Sequence, residues 1–210
     1  QHVDPALVGN RTRVLVSELS GRGNIAAKLQ ELGLGAMLTE EEVLALTQRL
    51  KDLESEGFQY EGADGSFELL VRRGRPDYRP PFEVIDFMVV ADKRQHMDIL
   101  AEATVKASVK GQVMHTAAEG DGPVNALDRA MRKALLPSYP QLEAVQLVDY
   151  KVRILDEGAA TAARTRVLID ASDGERTWTT VGSSVNIIEA SFQALLDSLE
   201  LPLLGRPSPA

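Results

Sequence analysis

The C-terminal part of the chain alternates hydrophobic and polar residues in six short runs, which predicts six β-strands in two groups of three. The predicted strands are 83–91, 101–109 and 112–118 in the first group, and 145–155, 164–171 and 176–181 in the second. A helical pattern follows each group. Pro123 fits the first position of the first helix, where its missing N–H is harmless. Asn186 is the predicted cap of the second helix, with Glu189 three residues on.

The two groups are copies of one internal repeat. Residues 84–89 align with residues 147–152 at an offset of 63 (147 minus 84), and Lys110-Gly111 falls on Asp173-Gly174 at the same offset. The helices align at an offset of 64, with Val124, Ala126, Ala130 and Leu135 falling on Ile188, Ala190, Ala194 and Leu199. One three-stranded sheet with one helix leaves a sheet face uncovered. We therefore expect the copies to pack with pseudo-two-fold symmetry and to leave surface for a second chain, which predicts an α+β fold and a homodimer.

The first 80 residues have a different pattern, typical of a small helical subdomain. The predicted helix starts are Asn24, the capping-box pair Thr39 and Glu42, and Asp64, and the predicted ends of the first two helices are Gly33 and Gly57. A short strand-like run covers residues 13–16. Residues 74–81 hold three prolines and a glycine, which is typical of a linker.

These patterns predict the division of the chain. We assign a helical linker subdomain to residues 1–80, a two-repeat domain to residues 81–204 and a tail to residues 205–210. Within the two-repeat domain, the first copy covers about 82–140 and the second about 144–202.

Composition excludes several classes of function. The 210 residues carry a net charge of −8, which disfavours binding to nucleic acid or to an anionic membrane surface. The chain has no cysteine, so disulfides, thiolate metal sites and cysteine nucleophiles are excluded, and a reducing cytoplasm is the expected location. No apolar run is long enough to span a membrane. The chain opens at Gln1 without a methionine, and we interpret it as part of a longer protein.

No catalytic or metal-binding constellation is predicted. The three histidines, His2, His96 and His115, have no metal-ligand spacing to another ligand residue. Residues 21–24 (GRGN) lack the Lys-Ser/Thr of a phosphate loop and are predicted to form a turn. Trp178 is predicted to pack in the core.

Several phrases, in this order and spacing, resemble the regulatory domain of 2-isopropylmalate synthase and its relatives, and most of all its citramalate synthase branch. They are VGNR (8–11), VSELSGR (16–22), SFELL (66–70), HTAAEG (115–120), GDGPVNA (120–126), LVDYKV (147–152) and NIIEAS (186–191). The resemblance covers essentially the whole chain. It implies that residues 81–204 form a regulatory domain and that residues 1–80 belong to the linker that precedes it.

The resemblance also implies a larger enzyme. Such enzymes have an N-terminal TIM barrel that binds a divalent metal and condenses acetyl-CoA with a 2-oxo acid, which is pyruvate in the citramalate branch. The barrel and its metal ligands are not in this sequence, so we expect no catalytic residue and no cofactor here. This piece alone should be inactive, and the barrel of the same chain is an expected partner.

The resemblance finally implies a feedback inhibitor, isoleucine for the citramalate branch and leucine for the isopropylmalate branch. The positions that match the family's inhibitor site are Asp121, Gly122, Val124, Asn125, Tyr150, Ile154 and Thr161. A helix N-terminus suits the carboxylate of an amino acid, and a glycine lets a ligand approach the backbone. Three alternatives stay open: residues 121–123 as a mere turn with Tyr150 in the core, a dimerisation module without effector, and a small self-contained enzyme.

Overall fold

The computed structural model describes residues 22–35, 38–93, 99–156, 159 and 162–205. The described elements are, in chain order, α1 (Arg22–Glu31), α2 (Glu40–Ser55), α3 (Asp64–Arg73), β1 (Phe82–Lys93), β2 (Ile99–Val109), β3 (Gln112–Gly120), α4 (Pro123–Leu135), β4 (Gln146–Ile154), β5 (Thr165–Ser172), β6 (Thr177–Ser184) and α5 (Ile187–Glu200). The predicted strand at 13–16 lies outside the described residues. No helix in the described ranges combines the length and the apolar character needed to cross a membrane.

The strands form two separate three-stranded antiparallel sheets, β1-β2-β3 and β4-β5-β6. The α+β prediction with two βββα units is confirmed, and the repeat extends to backbone detail. The β1–β2 register shifts between Val84 and Asp86, and the β4–β5 register shifts between Leu147 and Asp149. Both irregularities fall at the same repeat position, since 84 and 147 differ by the predicted offset of 63.

Each helix packs on the two later strands of its own unit, and the two helices also contact one another. Buried residues of both sheets and both helices form one continuous core, which includes Trp178 as predicted. A paired hydrogen bond fixes each helix to its sheet. The Thr116 hydroxyl donates to the Ala130 carbonyl at 2.8 Å, and the Thr180 hydroxyl donates to the Ala194 carbonyl at 2.7 Å. The offset between these two bonds is 64, as predicted for the helices.

The three N-terminal helices enclose a second core. In α2 the predicted capping box is present: the Glu42 N–H donates to Thr39 Oγ1, and the Thr39 N–H donates to the Glu42 carboxylate. Two other predicted starts were wrong. Helix α1 already begins at Arg22, two residues before Asn24, and Asp64 is the first residue of α3 rather than its cap, which is Ala63. A local sequence pattern places a helix end only to within a residue or two.

The N-terminal helices cover one sheet but not the other. Val181 of β6 and Leu168 of β5 form a pair on the outer face of the second sheet, and both belong to the second core. On the first sheet, Met88 is 59% exposed and Val90 is 48% exposed. The second unit is therefore attached to the linker helices, whereas the outer face of the first unit is open to solvent.

Candidate functional site

Helix α4 begins without a side-chain cap among the described residues. Its N-cap is Gly122, which has an extended backbone (φ −170°, ψ 169°), and Pro123 follows at the first helical position. Asn125 Oδ1 accepts a hydrogen bond from the Asp121 N–H at 3.3 Å, so it holds the incoming loop rather than the helix amides. Asp121 is exposed and lies 3.8 Å from Arg129. The first turn of α4 thus keeps its positive potential for an anion.

Helix α5 begins in the opposite way. Asn186 Oδ1 accepts hydrogen bonds from the N–H groups of Ile188 at 2.9 Å and Glu189 at 3.4 Å, which confirms the predicted cap. Glu189 does not complete a box with Asn186. It accepts from the Ser184 hydroxyl, and Ser184 Oγ in turn accepts from the Asn186 N–H at 3.0 Å. The start of α5 is therefore closed by side chains of its own unit.

Tyr150 and Ile154 lie on the helix-facing side of the edge strand β4. In the β4–β5 register Tyr150 is opposite the buried Ile169, and Ile154 is opposite Thr165. The Tyr150 hydroxyl is hydrogen-bonded to Ser191 Oγ of α5 at 2.7 Å. Tyr150 is nevertheless 42% exposed and Ile154 is 62% exposed. Tyr150 is therefore not a core residue, and β4 presents apolar surface beyond the edge of α5.

The predicted inhibitor residues fall into two groups in a single chain. Asp121, Gly122, the half-buried Val124 and Asn125 stand at the start of α4, and Tyr150 and Ile154 stand on β4. No hydrogen bond or ion pair between described residues joins one group to the other. Thr161 lies outside the described residues. The two groups therefore stand on different elements, each with part of the proposed chemistry.

An ion-pair network that sequence reasoning missed joins α5 to the linker helix α3. Arg73 lies 2.7 Å from Asp197 and 2.5 Å from Glu200, and Tyr78 donates to Glu200. Ser66 donates to Asp197 at 2.6 Å. A signal for this network exists in the sequence. Acidic residues in the last turn of a helix oppose the helix dipole, so a cation from elsewhere is expected beside them.

Burial and ion pairing shift the pKa values of three residues of this network. Burial raises the pKa of Asp197, although Arg73 and Ser66 oppose the rise. Burial opposes the charge of Arg73, but Asp197 and Glu200 outweigh this effect, so the pKa of its guanidinium is raised. Burial and the hydrogen bond to Glu200 raise the pKa of Tyr78 to about 12. Arg73 therefore stays charged and Tyr78 stays protonated near neutral pH, and their contacts with Asp197 and Glu200 join the two parts of the molecule.

Metal chemistry has no support in the described part of the chain. Within those residues, no cluster of three or more histidine, cysteine, aspartate or glutamate side chains is arranged to hold an ion. His115 is exposed on β3, whereas His2 and His96 lie outside the described residues.

Comparison with known proteins identifies relatives over nearly the whole chain. The family described as the LeuA allosteric (dimerisation) domain matches residues 61–203. An (R)-citramalate synthase from Geobacter sulfurreducens is 51% identical over 97% of this chain and 39% of its own length. An (R)-citramalate synthase from Aquifex aeolicus is 45% identical over 97% of this chain and 39% of its length.

A more distant relative belongs to the second branch. A 2-isopropylmalate synthase from Aquifex aeolicus is 28% identical over 93% of this chain and 35% of its own length. The chain thus spans less than two fifths of the length of these relatives. The family match begins at residue 61 and so includes α3. The predicted division at residue 80 stays a prediction.

Proposed function

We propose a function from the premise that this chain belongs to the LeuA allosteric (dimerisation) domain family: it is the part of a citramalate synthase-like enzyme that dimerises and binds isoleucine as feedback inhibitor. Its relatives named as (R)-citramalate synthases share 45% and 51% of residues with it, against 28% for the 2-isopropylmalate synthase. That difference supports the citramalate branch and hence isoleucine over leucine.

Exposed apolar surface supports dimerisation. The edge strands and the start of α5 carry large hydrophobic side chains in solvent: Ile85, Phe87, Met88, Val90, Val148, Tyr150, Val152, Ile154 and Ile187. A monomeric soluble protein seldom leaves so many large apolar side chains uncovered. A second copy of the chain would cover them through a self-complementary contact.

The open start of α4 is the observation that carries the effector proposal. The carboxylate of an amino acid would accept hydrogen bonds from the first-turn N–H groups of α4, beside Gly122, where no atom of the described residues lies within 4 Å of an added Cβ. Tyr150 and Ile154 would supply apolar contact for the side chain of the effector. Because no hydrogen bond or ion pair between described residues joins the two groups in one chain, we propose that each complete site takes α4 from one protomer and β4 from its partner.

Transmission to the rest of the enzyme would run through α5 and the ion-pair network. The Tyr150–Ser191 bond ties β4 to the first turns of α5, and Asp197 and Glu200 hold its last turns to Arg73 of α3. An effector that favours one arrangement of β4 and α5 would shift the position of the linker helices and thereby the catalytic population.

The reaction of the whole enzyme is also a proposal. We propose that the parent protein condenses acetyl-CoA with pyruvate or a related 2-oxo acid in a metal-dependent barrel that is not in this sequence. The part described here would then be inactive alone and would act as a cytoplasmic homodimer attached to that barrel.

Calorimetric titration of the chain with L-isoleucine and then L-leucine tests this proposal, with Asp121→Ala as the site variant and sedimentation as the test of dimerisation. We expect a dimer with saturable isoleucine binding that is weaker in the variant. Tighter binding of leucine would move the assignment to the isopropylmalate branch. A folded dimer that binds neither would favour a pure dimerisation module, and a stable monomer would contradict the dimer.

A further inference from the structure

A cavity of about 650 Å³ lies between the linker helices and the regulatory core, apart from the residues proposed for the inhibitor. Helix α2 forms one wall, α5 and the start of β1 form the opposite wall, and α3 also lines the space. Its size falls within the range of small-molecule sites, which occur preferentially at the boundary between two structural units. Most of its lining is apolar, as in such sites, with Leu46, Leu70, Val84 and Leu196 among the residues that face it.

The Tyr60 ring is buried, and its hydroxyl has no hydrogen-bond partner within the described part of the chain. Tyr60 is only 5% exposed and lines the cavity. Protein atoms do not enclose this oxygen, so the hydroxyl faces the open space of the cavity and can donate a hydrogen bond to a molecule there. Burial raises the pKa of Tyr60, which keeps the hydroxyl protonated and able to donate a hydrogen bond.

Some of the other polar groups of the cavity already have hydrogen-bond partners, and others have none among the described residues. Three carboxylates line the cavity and all of them already accept hydrogen bonds: those of Asp197 and Glu200 from donors on α3 and from Tyr78, and that of Glu42 from the Thr39 N–H. Arg49, in contrast, is exposed and makes no ion pair among the described residues. Gln193 uses its carbonyl oxygen to accept from the Ser183 N–H, and its amide nitrogen has no acceptor within the described ranges. The unused groups of the cavity are therefore mainly donors.

Hydrogen-bond donors beside an apolar wall indicate the chemical class of the ligand. Arg49 and Tyr60 line the same cavity. A guanidinium and a hydroxyl suit a carboxylate, which accepts several hydrogen bonds at once. We propose that this cavity is a second ligand site for an aliphatic carboxylate, with the carboxylate on Arg49 and Tyr60 and the chain between α2 and α5. The site goes beyond the inhibitor function and does not depend on it.

Titration of the full chain with octanoate, followed by calorimetry and by amide NMR shifts, tests the site. We expect one saturable event with shifts in α2 and α5, and no comparable binding of octylamine or 1-octanol, which have the wrong charge or none. Tyr60→Phe keeps the ring and removes the hydroxyl, so affinity should fall about tenfold, the effect of one hydrogen bond to a charged group. Arg49→Gln should weaken binding about threefold, as expected for an exposed ion pair.

Matched variants on α2 distinguish an effect on the cavity from a general effect on the helix. Ala45 lines the cavity, so Ala45→Trp should fill it and abolish octanoate binding. The neighbouring Leu44 is 50% exposed and does not line it, so Leu44→Trp should bind octanoate like the wild type. Lys51 is exposed on the same helix and does not line the cavity, so Lys51→Gln removes a positive charge away from the site and is the control for Arg49→Gln. Thermal unfolding of each variant checks that it is folded.

Three results would overturn the site: no saturable octanoate binding by the folded chain, equal binding of octylamine, or wild-type affinity in both Tyr60→Phe and Arg49→Gln. Isoleucine titration of the same samples keeps the two proposals apart. Loss of octanoate binding with intact isoleucine binding would be specific to this cavity, and failure of isoleucine binding alone would leave this site in place.

Discussion

The two βββα units share a framework and differ at the ends of their helices. Both units have a strand irregularity at the same repeat position and a threonine hydroxyl bonded to the helix backbone. At the helix starts, however, Gly122 leaves α4 open, whereas the equivalent Asn186 (122 plus 64) closes α5. The shared features hold the sheet and helix together, and the differences lie at surfaces available for a ligand or a neighbouring part of the chain.

The helix ends differ as clearly as the starts. Asp197 and Glu200 of α5 hold the linker helix through Arg73, whereas the equivalent positions of α4 are Lys133 and Leu136, at the offset of 64. Lys133 instead donates to the carbonyl of Ala117 in its own unit. Duplication thus gave two similar units, of which one is specialised to hold the linker and the other keeps an open helix start.

The helix of each unit approaches its sheet closely at a glycine, but the glycine stands at different repeat positions, Gly120 in the first unit and Gly182 in the second. A Cβ added to Gly182 would lie 1.9 Å from the Ala190 carbonyl oxygen, whereas the equivalent residue of the first unit is already Ala118. Gly182→Ala should therefore lower the free energy of unfolding by about 3 kcal/mol, the upper part of the usual range for overpacking. The reverse change, Ala118→Gly, should cost about 1 kcal/mol. Urea unfolding measures both, and equal losses would contradict the difference in packing.

Loss of Arg73 should give the next largest effect. Arg73→Ala leaves two carboxylates without their cationic partner, and we expect a loss of about 2 kcal/mol in urea unfolding, less than for a fully buried pair because the Arg73 side chain is 37% exposed. Arg129→Ala removes an ion pair of α4 whose Asp121 side chain is 94% exposed, so its effect should stay within about 0.5 kcal/mol. Similar losses in both variants would show that the network does not distinguish the two units.

The pH dependence of stability should change slightly when Asp197 is replaced. Because burial raises the pKa of Asp197 above 3.8, the folded state binds its proton more tightly than the unfolded state. Its contribution to stability is therefore largest at low pH, and it falls as pH rises from about 3.8 through the raised pKa. The difference in unfolding free energy between the wild type and Asp197→Asn should decrease over this window. An increase would mean that Arg73, rather than burial, dominates the carboxylate.

Local sequence patterns predicted most of the fold because the repeat supplied each element twice. All six strands begin and end within a few residues of the predicted limits, and Pro123 and Asn186 stand at the helix starts as expected. Local patterns indicate that Asp197 and Glu200 need a cation nearby, but they do not identify Arg73, because it lies more than 120 residues away and only tertiary packing brings it there.

Exchanging the N-cap residues of α4 and α5 shows whether the uncapped start of α4 receives the effector. Gly122→Asn would give α4 the cap that α5 has, in a position with room for the side chain, and Asn186→Gly would remove the cap from α5. Calorimetric titration with L-isoleucine should show binding at least about tenfold weaker in Gly122→Asn, because the new side chain takes the N–H groups that the carboxylate needs. Asn186→Gly should keep the wild-type affinity. Unchanged binding in Gly122→Asn, or an equal loss in both variants, would contradict the account.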